Sequence, residues 1–534
     1  MIGLIRLNAV QPVRSERQIH YRPGDWVSYA MTRFVTSIAV GDDRTYFGTT
    51  GGINQYDFYK EEWTVPVTVS DGLYGNAIRV VAFDHARGCL WCAEETGLDF
   101  RVPASEEWYH VSFDDLGTGP VFSIGFGKEN MWLESPAGIF QGDRDALVFT
   151  RSGISEAEND GVNWFGGLQK NGPDPLPVFF PPGGYFFFPE GFIQDQELRR
   201  YNITKTVPDR FDNLWIGTDG LGAGVANMRS YELSLLPHGL YTPGVMTMAW
   251  DDGGMWIGGR KTVRGESGIT WWEQERDEWK YYEAGLISGL YSDAVNAVTA
   301  GRKNVWFATQ NGLARYDKQK NTWRTYGIRD NLWSETIISV ALSEKAVWVG
   351  TDRGLNRISS ENMVVEKIYH SDLDHHAVYW IEPDDQDIWI GSDLGMYRYE
   401  KNGHRVIPFP GYPGMVTMAV YAVSVWDQEV WFGAENGIAC YDTRLDEWLG
   451  FPDFHYPLDG VIQYILADND VVWVATSSGV MKYVKSEDRW RRFTTDDGLL
   501  HNDVRWILPD GDYIWFGTAA GLTRFYWNAP YRSD

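Results

Sequence analysis

Three cysteines in 534 residues, Cys89, Cys92 and Cys440, are too few for a disulfide framework. Cys89 and Cys92 have CxxC spacing, but residues three apart on a strand point to opposite faces, and no second pair completes a zinc set. Buried thiols are expected instead. Basic charge is scarce too: 47 Lys and Arg face 73 Asp and Glu, for a formal charge of −26. Nucleic acid and anionic membrane surfaces are excluded as partners, because both need a basic face. Long apolar runs are missing. The opening stretch MIGLIRL is broken by Arg6, and Phe179–Phe192 is interrupted by proline and glycine, so no membrane insertion is expected. Capped helices with 3.6-residue periodicity are hard to find. No GxSxG, HExxH or P-loop occurs, so the sequence offers no linear catalytic motif, no cofactor fingerprint and no metal spacing.

Glycine (57) and tryptophan (26) are plentiful, and they recur together. Asn304–Asp317, NVWFATQNGLARYD, reads as a strand, a turn with Gly312 free to take positive φ, and a returning strand. The same hairpin starts at Tyr46, Trp91, Trp132, Trp215, Trp256, Trp348, Trp389, Trp431, Trp473 and Trp515, with a degenerate copy at Tyr185. From Trp306 to Trp515 the steps are 42, 41, 42, 42 and 42 residues. That period predicts four-stranded propeller blades. An apolar run before each hairpin supplies the inner strand A, the hairpin supplies B and C, and a strand marked by Trp63, Trp108, Trp279, Trp323, Trp448 or Trp490 supplies the outer strand D. The D–A connection often reads Asp-Gly-Leu, as at Asp71-Gly72-Leu73 and Asp497-Gly498-Leu499. There Asp caps a turn, Gly takes positive φ and Leu fills the gap between blades.

The fold class expected is therefore all-β, a propeller of twelve four-stranded blades. Twelve exceeds the usual ring, so two rings are expected, six plus six with domains 1–272 and 273–534, or five plus seven; one twelve-bladed ring is the alternative. The C-terminal copy ends after strand C, and residues 24–30 read as a lone D strand, so the two fragments are expected to close a ring.

The pattern VWxGTxxGLxRYD, with DGL upstream, resembles the two-component-regulator propeller repeat, found in periplasmic sensor regions of bacterial hybrid histidine kinases and in secretion-associated propellers. The likeness covers most of residues 24–526, is specific from Trp306 onward and weak between Phe140 and Asn202. It implies a periplasmic or extracellular location and ligand sensing, often of oligosaccharides. No kinase or DNA-binding segment accompanies the repeats, so signalling itself does not carry over.

Two functions follow. The first is a non-catalytic ligand-binding, sensing or scaffold propeller that recognises a glycan or protein on the D–A/B–C loop face, with a membrane-bound protein among the candidate partners. The alternative is a carbohydrate-active enzyme, a polysaccharide lyase or glycoside hydrolase, with residues spread over several blades. Candidate ligand-binding residues are His370, Asp372, Asp374, His375 and His376 in one D–A connection, and His501 in another. His and Asp are metal ligand types, but without a metal spacing the cluster reads as a solvated loop. Trp164 and Phe165 complete the set. They lie in the long loop 154–177, where exposed aromatics suit stacking on a sugar or contact with a protein, or fold back as a plug.

Overall fold

The structure, a computed structural model, describes residues 11–12, 21–103, 107–166, 176–260, 267–409, 419–434, 437–449 and 460–532. The MIGLIRL stretch, residues 167–175 of the long loop and residues 261–266 of the turn after Trp256 lie outside them. The chain forms two compact units, Met1–Leu240 and Tyr241–Asp534, and its sheets are antiparallel meanders, mostly of four strands.

Local chemistry makes each hairpin. In Asn304–Thr309 and Gly312–Asp317, Thr309 pairs with Gly312. The Thr309 hydroxyl donates to the Gly312 carbonyl at 2.6 Å and accepts from the Asn311 N–H at 3.2 Å. This closes a short turn that competes successfully with a longer loop. Gly312 has φ 96°, and a Cβ there would lie 2.6 Å from the Tyr326 carbonyl oxygen, so the position admits no side chain. The same Thr-to-Gly bond recurs at Thr49, Thr351, Thr476 and Thr518.

The repeated tryptophan is the core of each sheet. Trp306, Trp389, Trp473 and Trp515 are almost wholly buried. A buried indole N–H needs an acceptor, and the A–B turn supplies it: Trp215 donates to Asp209 at 3.0 Å, Trp256 to Asp251 at 2.9 Å, Trp389 to Asp384 at 2.6 Å and Trp515 to Asp510 at 3.0 Å. The arginine of GLxRYD is explained by register. It pairs across from the tryptophan, and Arg315, Arg398 and Arg524 stack over Trp306, Trp389 and Trp515 within about 6 Å. At the D–A turns, Asp71 and Asp497 accept the N–H of the residue three before, at 2.9 Å each. Gly72 and Gly498 have φ 115° and 135°, and Leu73, Leu332 and Leu499 are buried. All three cysteines are buried thiols.

Among the described residues of Tyr241–Asp534 seven sheets follow one another. Their inner strands are Thr247–Asp251, Val295–Ala300, Ile337–Leu342, Val378–Pro383, Val420–Trp426, Ile462–Ala467 and Val504–Asp510. Each touches the next, and Val504–Asp510 in turn touches Thr247–Asp251.

In Met1–Leu240 the sheets beginning at Val35–Val40, Val80–Asp84 and Ser123–Phe126 follow the same plan. The degenerate copy does not. Its hairpin, Phe186–Phe188 and Phe192–Gln194, shares the long strand Arg200–Pro208 with the sheet that follows. The long loop is also more ordered than its composition suggested. It opens with helix Ile154–Asp160, then strand Asn163–Gly166 pairs with Ser123–Phe126 and also touches Val35–Val40 and Val80–Asp84. The loop is fastened by Asp160, whose carboxylate accepts the Trp132 indole N–H at 2.8 Å in place of an A–B turn residue.

Candidate functional site

An inner strand runs from the D–A connection to the A–B turn, so its second residue sits at the D–A mouth. In six inner strands of Tyr241–Asp534 the pairing skips that residue: Asn296, Ile338, Tyr379, Tyr421, Gln463 and Arg505. A bulge bends the strand and re-aims the extra side chain. Together with Met246, which precedes Thr247–Asp251, these residues surround a cavity of about 910 Å³. Arg260, from a B–C connection, stands at the same rim and is exposed.

The rim is polar and ordered. Arg505 donates Nε and Nη2 to the Asp503 carboxylate at 3.1 and 2.7 Å, and Gln463 donates to the other Asp503 oxygen at 2.5 Å. Burial opposes the Asp503 charge, but the Arg505 and Gln463 bonds outweigh it and hold the carboxyl below its usual range. Arg260 donates Nε to the Asn296 side chain at 3.2 Å. Partial burial and then the nearby Arg505 charge weaken its hold on its proton, a sign that the two cations share one neighbourhood.

Below the rim Trp380 and Trp506 line the cavity, and Tyr464 packs against both. Trp380, Tyr464 and Trp506 come from three different sheets, and their rings meet with centroids 4.6 to 5.6 Å apart. Trp380 donates to Glu382 at 3.3 Å. Burial, against that bond and with help from Asp384, pushes the Glu382 carboxyl up to about 7.

The residues expected to bind are distributed otherwise. His370, Asp374 and their neighbours do lie in a D–A connection of this unit, but they serve the turn. Asp374 accepts the His370 N–H at 3.1 Å, His370 Nδ1 accepts the Asp372 N–H at 3.3 Å, and His376 bonds Asp393 at 3.1 Å. His375 is exposed, with its ring 5.8 Å from Trp333. His501 adjoins the cavity through the Asp503 N–H, which it accepts at 2.9 Å.

Trp164 and Phe165 correct the expectation of exposed loop aromatics on the D–A/B–C face. Phe165 is buried and Trp164 half-buried, because their strand pairs with Ser123–Phe126. Both line a separate cavity of about 460 Å³ in Met1–Leu240, with Asp42 and His85 of the A–B turns, which is the opposite mouth. Polar and glycine-rich neighbours misled the sequence reading, since they describe the loop and not the strand inside it.

The residues missed at the mouth had a signal. The inner strands repeat as Val or Ile, a variable residue, then a mostly small or aromatic one, and the variable column is the ring around the cavity.

Elsewhere, Glu94, Asp99 and His110 bring three potential ligand atoms within 4.8 Å. Asp99 accepts from the Tyr74 N–H at 2.8 Å and bonds His110 at 2.7 Å. Asn356 takes the Trp333 N–H from the equivalent place in another sheet, so the trio is a variant of the D–A turn.

No protein-family model matches the sequence, and no curated protein does. Among solved structures, the chain is similar to the extracellular domain of the hybrid two component system BT3049 from B. thetaiotaomicron, at 17% identity over 91% of this chain and 73% of that one, TM-score 0.45. It is similar to PorZ, a surface component of the type-IX secretion system of Porphyromonas gingivalis, at 13% identity over 93% and 74%, TM-score 0.49. It is also similar to virginiamycin B lyase from Staphylococcus aureus, at 14% identity over 53% and 94%, TM-score 0.44. Among the described residues no helix is long and apolar enough to cross a membrane.

Proposed function

We propose that this chain is a non-catalytic, extracytoplasmic binding propeller, a sensing or scaffold module that holds a glycan or protein ligand at the D–A/B–C mouth of Tyr241–Asp534. One observation carries the reading: six inner strands bulge at the same residue, and the six side chains so re-aimed surround one cavity. A bulge re-aims its extra side chain, and six at one register present six side chains to one mouth. The cyclic contacts of the inner strands support a seven-bladed ring here. Location outside the cytoplasm rests on the repeat's resemblance.

The test is binding. Ligands captured on a glycan array or in a pull-down are measured against Tyr421→Ala and Arg505→Ala, with the exposed A–B turn variants Asp252→Ala and Gln386→Ala as controls. Loss in the first pair alone is expected; loss in the controls alone means the wrong face.

The enzyme alternative has one specific observation in its favour, the near-neutral Glu382. Reducing-sugar release that Glu382→Gln abolishes would establish it.

A further inference from the structure

We infer that the group held at this mouth is a carboxylate carried on an apolar body, aromatic or branched aliphatic. The inference rests on the binding reading above and adds the chemistry of what is bound.

The cavity has two walls. Arg505 and Arg260 come from neighbouring sheets of the cycle, the seventh and the first. Tyr379 and Tyr421, with ring centroids 5.3 Å apart, come from the fourth and fifth, on the far side. Among the described residues lining the cavity two guanidinium groups meet one carboxylate, Asp503, which leaves a positive excess in a chain of formal charge −26. The donors are not used up. Arg505 turns Nη1 to the Met246 sulfur at 3.3 Å, a weak acceptor. Among the described residues the Nη atoms of Arg260 meet no acceptor, since its one bond uses Nε. A planar carboxylate matches such a fork with two parallel bonds.

Below the rim the chemistry changes. Val340, Ile381, Trp380 and Trp506 line the cavity; Glu382 takes the Trp380 N–H, so the Trp506 N–H is the one donor these four offer to a hydroxyl. A sugar seated there would leave hydroxyls unpaired, which costs more than the contact returns. An apolar body has no such cost and gains by leaving water. The charge therefore stays at the rim and the body points inward. Two sources present this chemistry, a small organic acid and the C-terminus of a protein chain ending in a large apolar residue.

The experiment is calorimetric titration of the full chain with five probes: N-acetyl-phenylalanine, its amide, the peptide Gly-Ser-Gly-Ser-Phe as free acid and as amide, and trigalacturonate. Acids are expected to bind at least about tenfold more tightly than amides. Arg260→Met with Arg505→Met should erase that preference, and Arg505→Lys, which keeps charge and loses the fork, should weaken it in part. Far-UV circular dichroism verifies that each variant folds. Equal binding by both acids identifies a small acid as sufficient; binding by the peptide alone identifies a chain terminus. Trigalacturonate binding that needs the arginines, with neither acid binding, overturns the apolar body and leaves the mouth reading intact. If no acid binds below about 1 mM, or the amides bind as well, the inference is wrong. The mouth reading itself fails separately, if a captured ligand ignores Tyr421→Ala and Arg505→Ala.

Discussion

Replacing Glu382 with glutamine should change the pH dependence of stability in a defined direction. Burial pushes the Glu382 carboxyl from its ordinary 4.5 to about 7 in the folded chain. Between those values the folded state keeps a proton that the unfolded chain releases. Stability therefore falls as pH rises through that window and stays lower above it. The full difference corresponds to about 3 kcal/mol. Because the side chain is only partly buried, solvent screening reduces this to on the order of 1–2 kcal/mol. Glutamine keeps the shape and the acceptor for the Trp380 N–H and never ionises. Glu382→Gln should match the parent protein at pH 5 and exceed it at pH 8, with a melting temperature about 2–4 °C higher at pH 8. Scanning calorimetry of both proteins at the two pH values measures the difference, and comparing them cancels other titrating groups such as His238. Equal melting temperatures at pH 8, or a gain confined to pH 5, would refute the assignment of a partly buried, destabilising carboxylate at Glu382.

Three further outcomes are expected. Gly312→Ala meets both positive φ and the Tyr326 carbonyl, whereas Gly395→Ala meets positive φ with nothing within 4 Å of the new Cβ; denaturant titration should find the first costing about 2–4 kcal/mol and the second about 1 kcal/mol. Asp384→Ala strands the buried Trp389 indole N–H and should cost about 1–3 kcal/mol, with Asp384→Asn recovering part of it. His238 is buried and its affinity for a proton is lowered by that burial to about 3; the unfolded chain takes up this proton below about 6.5, so His238 should make Met1–Leu240 lose stability as pH falls from 6.5 toward 3. Acid titration of its protease resistance, compared with His238→Gln, should find a shallower loss in the variant.

The hairpin, the outer tryptophan strand and the D–A turn were legible because each is decided within a dozen residues. Thr309 and Gly312 close a turn whatever surrounds them, and Asp497, Gly498 and Leu499 do the same for the next connection. Trp389 and Asp384 lie five residues apart, so even a buried hydrogen bond was encoded locally. Trp164 and Phe165 were misread for the complementary reason. Their strand exists because Ser123–Phe126 offers an unpaired edge, and nothing within 154–177 states that.

The sequence by itself determined the repeating unit, its strand order and its turns, since period, tryptophan and glycine act through neighbours in the chain. The tertiary structure decided which inner strands meet, for instance Val504–Asp510 with Thr247–Asp251, and hence which variable residues share a cavity. Arg260, Tyr421 and Arg505 are unremarkable where they stand in the sequence. A bulge that turns a side chain inward and a cycle of sheets that brings it beside the others are properties of packed strands, and they make a site from residues no linear motif connects.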